Sequence, residues 1–556
     1  MASLTGSSTG EATEIFRRCH PEGPRAQRGG PRDLGTIVRR VAATLLLALS
    51  PTVAIAQNSP YLPLDDIAYA YIDALRARGE LRTLSMLERP YTVQDVRHAL
   101  AERTGTADSP VLESWRTALR EAMTKYDPWA DRCAESCSPD SAQDLAIRAS
   151  AGVFASARSS GIRELMLADD EDGVYPGAIG RFVAKGGPFV ASTRVVMDNR
   201  LKDDPEYVGK KDRAIAGRVE DAYLGVDLPW VQLTAGRVAR NLGPAPLHGL
   251  QIGHYAYSWD HLFLRLGTPR FHLSTIVAAL DPLRLGPDSL AQRYLALHRL
   301  SGRWGGLEIA IAEGMLFGGV DRRFDPGFLN PLNVYQLTQY NERGLGNVSL
   351  SIEAAWRSER AGTFAAQLLM DDFQVDDCEP NCQEPTSYGL GVSAEGLPLW
   401  GTQRWFASYA RVANLTYRTP APYESWTSFG VGLGHGFSDY DEARIGLDLA
   451  FVPRVALRPY GAVRRQGEGD YRLPYPAAED YATTPAFHAG VVQRTVRLGA
   501  TASWMPARGI EVRGDLGWNR ATDAGHVEGA TASEIEGWIR VALESPWVLQ
   551  RRLSRD

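Results

Sequence analysis

The apolar residues change period once along the chain. Between Pro60 and Tyr126 the spacing is helical: Ile67, Tyr71 and Leu75 recur at i, i+4 and i+8, and Gly79 stands where a helix stops. Thr92-Val93-Gln94-Asp95 has the form of a capping box, with Asp in place of the usual Glu, and Val93, Val96 and Leu100 line one face behind it. Ser109-Pro110 is an N-cap followed by proline at N1, ahead of Leu112, Trp115, Leu119 and Met123. This pattern predicts three short amphipathic helices forming a small bundle over 57–126. A linker over 127–143 separates the bundle from the rest of the chain.

From there the period is two, over 144–545. Leu145, Ile147, Ala149, Ala151 and Val153 alternate with Arg148, Ser150 and Gly152, and Val348, Leu350, Ile352 and Ala354 alternate with Ser349, Ser351 and Glu353. The runs from Ala222, Ile445, Ile510 and Ile539 behave likewise. One face is apolar. The other carries both signs of charge: Arg148, Arg194, Glu308, Glu353, Arg444, Asp448, Arg458, Glu511, Arg513, Asp515 and Arg540. Connections alternate in length. Short ones fall at Gly186-Gly187, Pro229-Trp230, Thr268–Arg270, Gly302–Gly305, Ser358–Gly362, Gly396–Thr402, Val452–Arg454 and Met505–Gly509, with nine long ones between them. The stretch 418–441 has room for a further hairpin. Eighteen strands with an apolar outside, a charged lumen, short periplasmic turns and long extracellular loops describe an outer-membrane antiparallel β-barrel, a mainly β fold with a small α-helical bundle. Trp230, Trp304, Trp356 and Trp504 sit beside short turns, where an interfacial girdle belongs. Residues 546–556 read as a tail beyond the last strand.

Composition agrees. The 556-residue chain is 44% hydrophobic and 23% charged with net charge -6, so there is no basic excess for nucleic acid. Its mean hydropathy of -0.24 excludes a polytopic helical membrane protein but not alternating strands. Residues 1–56 read as a leader. Arg39-Arg40, the apolar run Val41–Leu49 and Ala54-Ile55-Ala56 form a signal peptide cleaved after Ala56, and the aperiodic stretch before it suggests a start codon assigned too early. The mature chain keeps four cysteines as two Cys-x-x-x-Cys pairs, Cys133 with Cys137 and Cys378 with Cys382. In an exported protein these are disulfide candidates, and a zinc site is the rival reading.

No nucleophile elbow, metalloprotease motif or phosphate loop is present, so no catalytic residue, metal or cofactor is assigned and the chain reads as a non-enzyme. Asp169–Asp172 lacks calcium-loop spacing and reads as a solvated run. Asp371 belongs with the lumen charges. Glu313 interrupts the alternation set by Ile309 and Ile311, which points to a bulge or, failing that, a lumen carboxylate. Sugars offer an apolar C–H face and a hydroxyl rim, and so need aromatic platforms beside polar groups. Three long loops supply that mixture: Tyr255, Tyr257, Trp259 and Asp260; Tyr423 and Trp426; and Tyr471 and Tyr475.

The chain also resembles the capsule-assembly Wzi family. The resemblance rests on Ser59–Leu64, Arg89–Thr92, Ala235-Gly236-Arg237 running to Asn241-Leu242-Gly243-Pro244, Leu329–Leu332, Leu368–Phe373 and Arg464–Gly469, in that order over 57–545, with Leu242 where the family has Trp. It implies an eighteen-stranded outer-membrane barrel with a periplasmic helical bundle. It also implies a surface lectin that holds capsular polysaccharide. The expected partners are outer-membrane lipid, that polysaccharide and the barrel-assembly machinery, with the chain a monomer. A diffusion porin is the alternative. The charges and the long loop 317–347 folded inward would close the lumen against that use.

Overall fold

The computed structural model describes residues 58–102, 109–126, 145–166, 172–342, 346–358, 360–372, 386–544 and 549–553. The leader, the linker, all four mature cysteines, Asp169–Glu171 and residues 554–556 lie outside the described residues. Three helices open the described chain: α1 (Ala68–Arg76), α2 (Val93–Ala101) and α3 (Pro110–Met123). Thr92 and Asp95 exchange both hydrogen bonds of a capping box at the start of α2. Pro110 begins α3 at the position where its missing N–H costs nothing.

Eighteen antiparallel strands then close a barrel. They are β1 (Leu145–Arg158), β2 (Gly173–Gly186), β3 (Phe189–Asp198), β4 (Gly217–Leu228), β5 (Val231–Val238), β6 (Trp259–Gly267), β7 (Phe271–Ala279), β8 (Leu290–Trp304), β9 (Leu307–Val320), β10 (Asn347–Ser358), β11 (Gly362–Asp372), β12 (Ser387–Pro398), β13 (Arg404–Val412), β14 (Tyr440–Asp448), β15 (Val455–Gln466), β16 (Gln493–Ala507), β17 (Ile510–Thr522) and β18, in two segments (Thr531–Glu544 and Leu549–Leu553). All eight short connections are present, displaced by up to three residues: β8 runs on to Trp304, β12 to Pro398 and β16 to Ala507, inside the turns expected at Gly302–Gly305, Gly396–Thr402 and Met505–Gly509. The stretch 418–441 holds only a two-residue ladder, Thr427–Ser428 with Val431–Gly432, and no further wall strand. The expected tail is corrected in part. Leu549–Leu553 pairs with Leu145–Ala149 of β1, so the seam continues past residue 545.

The outward face is apolar, with Val153, Leu224, Ile311, Ile445, Leu516 and Ile535 among its exposed residues. Trp230 (65% exposed), Trp304, Trp356 and Trp504 ring the short-turn end, joined by Trp400. No described helix is long and apolar enough to cross a membrane; an apolar belt on a closed strand wall does so instead.

The loop between β9 and β10 corrects two expectations. It folds over the outer wall and not into the lumen. Phe317 points outward and packs on Phe328 at 4.6 Å between ring centroids, and Tyr335 covers His298 at 4.5 Å. Glu313 sits in an unbroken ladder, opposite His298 on β8 and Leu350 on β10, so there is no bulge. It continues the outward alternation begun by Ile309 and Ile311. Its carboxylate accepts the backbone N–H groups of Tyr335 (2.9 Å) and Gln336 (2.7 Å) at the start of α4 (Tyr335–Glu342) and lies 3.1 Å from His298 Nε2. A buried acid on the lipid side is thus the anchor of a surface strap, satisfying the orphan donors of a helix N-terminus.

Candidate functional site

The lumen is filled from both ends. At the short-turn end the helical segment is held by the inward charges of the wall. Arg78 donates to Asp448 (2.9 Å), Arg194 to Asp65 (2.8 Å), and the backbone N–H of Met86 to Glu308 (2.7 Å); Arg513 donates to the Asp65 carbonyl (2.5 Å). Lys125 joins Asp66 (2.8 Å) and Glu511. Glu88 is a hub for Arg265, His272 and Arg299, and Arg299 also bonds Glu353 at 2.6 Å. The apolar side of the bundle, with Tyr71, Leu75, Trp115 and Leu119, packs on Ala450, Ala456 and Met505 of the short-turn end. Trp115 Nε1 donates to the Val455 carbonyl at 3.0 Å.

The lumen charges therefore do two jobs. Arg194–Asp221 (2.6 Å) and Arg497–Asp515 (2.6 Å) link adjacent strands of the wall, and Arg299–Glu353 links β8 to β10 across β9. Glu308, Asp448 and Arg513 hold the bundle segment instead. Arg444 bonds Glu442 two residues back on its own strand, and Asp371 accepts the Tyr417 N–H (2.7 Å) from a long loop. Arg148 is buried beside the bundle, in the cavity that Lys125 and Glu511 also line.

The stopper reaches the other end through two long loops. Glu88-Arg89 pairs with Asn241-Leu242 as a two-residue ladder, and the Gly243 N–H donates to the Leu87 carbonyl at 2.9 Å. From there the loop 239–258 meets the loop 413–439: the Gly253 N–H donates to Leu433 (2.8 Å), Trp426 Nε1 to the Gln251 carbonyl (2.7 Å), and the Tyr417 hydroxyl to the Leu250 carbonyl (2.5 Å). Both loops rest on inward apolar residues of the wall, including Phe263, Ile276, Leu297, Leu316 and Leu369. This apolar sector is where the charged-lumen expectation fails. Its trace in the sequence is the run Met315-Leu316-Phe317, which is continuous where it should alternate. Leu316 faces the inserted loops and Phe317 faces the strap, so both faces of β9 are covered there.

The proposed aromatic platforms divide accordingly. Trp426 is 1% exposed and, with Trp259, belongs to the apolar packing of the inserted loops, so neither presents a ring face to a ligand. Asp260 lies on the outer wall, opposite Arg237 in register and 2.6 Å from it, because β6 directs alternate residues outward. Tyr423 is half-buried beside Gly318, and Tyr475 pairs edge-on with Tyr481 elsewhere on the long-loop face. Tyr255, Tyr257 and Tyr471 do converge. Arg163, from the first long loop, stacks between the rings of Tyr255 (4.7 Å) and Tyr257 (4.5 Å), while Arg218 covers Tyr257 at 4.0 Å. The Tyr257 hydroxyl donates to Asp204 at 2.5 Å, which also accepts from Arg200 at 2.9 Å. Glu206 joins Arg163 to Arg472 (3.0 Å), and Arg472 lies over Tyr471 at 4.5 Å. Burial pushes the Asp204 carboxyl up, but Arg163 and Arg200 outweigh it and hold it below the usual range. Burial raises the Tyr257 phenol, which stays protonated as a donor. Arg163, Asp204, Glu206 and Arg472, charges in aperiodic loops, and Arg218, at the start of β4, carried no sequence signal.

Beneath this mouth lies a ring-stacked floor. His248 stacks on His254 at 4.3 Å and His435 on Tyr440 at 4.7 Å, with the Tyr440 hydroxyl 2.8 Å from His435 Nε2. Burial, helped by neighbouring His435 for one and Arg464 for the other, lowers His248 and His435 to about 3, so both are neutral near pH 7. Among the described residues no group of histidines and acids has the form of a metal site.

No family model matches the chain, and no curated protein sequence is significantly similar to it. Solved structures do resemble its fold. One is described as Wzi, an outer-membrane protein involved in group 1 capsule assembly in Escherichia coli and a carbohydrate-binding β-barrel. It shares 12% identity over 88% of this chain and 100% of that one, with a TM-score of 0.58. Two Pseudomonas aeruginosa outer-membrane proteins are more distant. OpdK has a TM-score of 0.41 at 12% identity, covering 73% of this chain and 99% of its own, and OccD3 has 0.40 at 9%, covering 72% and 90%.

Proposed function

We propose that this chain is an outer-membrane barrel that binds an exported surface polysaccharide on its long-loop face and holds it at the cell without catalysing a reaction. On this reading the helical bundle is periplasmic and the long loops are extracellular. The observation that carries it is the continuous stopper. From α1 through Glu88 and Leu242 to Leu433 and Trp426, protein occupies the lumen from one mouth to the other. That arrangement suits a diffusion porin poorly, since a pore needs a water-filled path. It suits a binding surface well, because the inserted loops give the mouth a firm floor. Tyr257, covered by the Arg163 and Arg218 guanidiniums and hydrogen-bonded to Asp204, sets an aromatic ring among charged hydrogen-bonding groups, the mixture of chemistry that a sugar needs. The likeness to a carbohydrate-binding capsule-assembly barrel is consistent with the reading, at the level of fold.

The test is surface retention. Removing the protein should release polysaccharide into the medium while total synthesis stays constant. Restoring it as Tyr257→Ala with Arg472→Ala should leave the barrel in the membrane but retention impaired. Unchanged retention on removal overturns the proposal, as does full retention by the double variant.

A further inference from the structure

On the outer wall away from the strap, the register sets out a row of charges that neither the lumen nor the mouth uses. Arg411, Asp441, Arg465, Arg494 and Thr522 stand directly opposite one another on β13 to β17, facing outward like Ile445 and Leu498 below them. Neighbouring strands lie about 4.8 Å apart, so Arg465 and Arg494 are like charges in direct opposition, which is destabilising without a counter-ion. Asp441 accepts from Arg465 Nε at 2.9 Å and from the Tyr409 hydroxyl at 3.0 Å, and lies on the far side of Arg465 from Arg494. Arg411 lies flat on Phe487 at 3.5 Å. Arg494 and Arg520, a diagonal pair, are exposed. Ten residues along β16 separate Arg494 from Trp504 of the short-turn girdle. At about 3.3 Å per residue and a tilt near 40° this is about 25 Å, the height of an apolar belt, which puts Arg494 at the headgroup level of the outer leaflet.

Below the row the wall is hollowed. Ala500, Ala502, Gly514 and Gly537 leave a groove of about 640 Å³ whose sides are Leu516 (64% exposed), Ile535 and Trp504. Trp518, its indole N–H donating to Ser533 Oγ at 2.9 Å, stands between groove and arginines. Cations above, an interfacial indole between and an apolar slot beneath match one amphiphile in order. We infer that this outer face binds a phosphorylated lipid of the outer leaflet, with a phosphate on Arg494 and Arg520 beside Arg465 and an acyl chain in the groove. Guanidiniums hold phosphate oxygens by paired N–H donors. Continuity with the lipid-facing belt makes lipid the occupant. The inference is independent of what the mouth binds.

The test uses the detergent-purified barrel, checked for folding by its heat-dependent gel shift, and a bisphosphorylated six-chain glucosamine-disaccharide lipid. Native mass spectrometry should show this lipid retained at least about tenfold more by the wild type than by R494E/R520E, with R494Q/R520Q as the milder substitute should the first fail to fold. The dephosphorylated lipid should bind the wild type as weakly as the double variant binds the phosphorylated one. Ala502→Trp, which fills the groove, should lower lipid retention severalfold. Equal retention by wild type and charge variants overturns the site, and so does indifference to the phosphates. Displacement by equimolar inorganic phosphate, or full retention by Ala502→Trp, would make a free anion the occupant and overturn the lipid assignment.

Discussion

The two closures of this barrel are built from different chemistry. The short-turn end is stopped by a helical segment that packs on the wall through one apolar side and is tied to it by ions: Arg78 with Asp448, Lys125 with Glu511, and Glu88 with Arg265 and Arg299 beside His272. The long-loop end is stopped by two loops held mostly by apolar side chains, backbone groups and neutral histidines, with the charged wall residues Arg293 and Asp371 bonding loop backbone. Buried ion pairs fix one arrangement, because breaking either partner strands a charge. A floor of stacked rings and single hydrogen bonds tolerates local opening. The comparison predicts a permanent closure at the short-turn end, the inner end in the proposed orientation, and a closure that opens locally at the long-loop end, the outer one.

The strongest break should come at the inner end. Arg299→Met leaves the buried Glu353 without the guanidinium that faces it and takes one of two arginines from Glu88, and should cost about 3–5 kcal/mol in urea unfolding of the reconstituted protein. A loss below about 1 kcal/mol would show that the ionic closure is ornamental. At the outer end Trp426→Ala empties a fully buried indole site and should cost about 3 kcal/mol. Its effect should be local, with protease cutting within 413–439 while the bundle stays protected. Cleavage of both closures together would join what the comparison separates.

How much of this was legible follows the same division. The helices, the eighteen strands and the turn girdle could be read because each repeats a period set by backbone geometry. The inserted loops could not. Trp426 and Gln251 meet across 175 residues in segments without periodicity, so nothing local marks Trp426 as core. Glu313 looked like a fault in a strand because its partner is a helix N-terminus in a loop that the pattern sent inward. Tyr257 was visible as an aromatic in a long loop, but Arg163 and Glu206, which set its surroundings, were not.

Acid should sharpen the comparison by a smaller amount. His248 and His435 have folded values near 3, below the ordinary 6.5, so the open form takes up protons first. The outer closure should therefore lose stability as pH falls below about 6.5, by at most about 1.4 kcal/mol per pH unit for each histidine. At the inner end burial raises the Asp66 carboxyl, but Lys125 outweighs it and holds it below 3.8, so that pair's contribution persists until pH falls below that value. Between pH 6 and 4.5 proteolysis of 413–439 should accelerate while the bundle does not change. Equal protection at pH 7.5 and 5 would remove the histidines from the account. The smallest effect is Arg472→Ala. This residue is 40% exposed in its side chain, so stability should fall by under about 1 kcal/mol, with the change appearing in polysaccharide affinity.

The central claim is that the barrel is stopped along its length and works by its surface. Planar-bilayer conductance of the purified full chain at neutral pH addresses it directly. The account predicts a silent bilayer for the intact protein and large, steady channels only when residues 58–126 are removed and the 413–439 loop is shortened. Large, steady channels from the intact protein would contradict it.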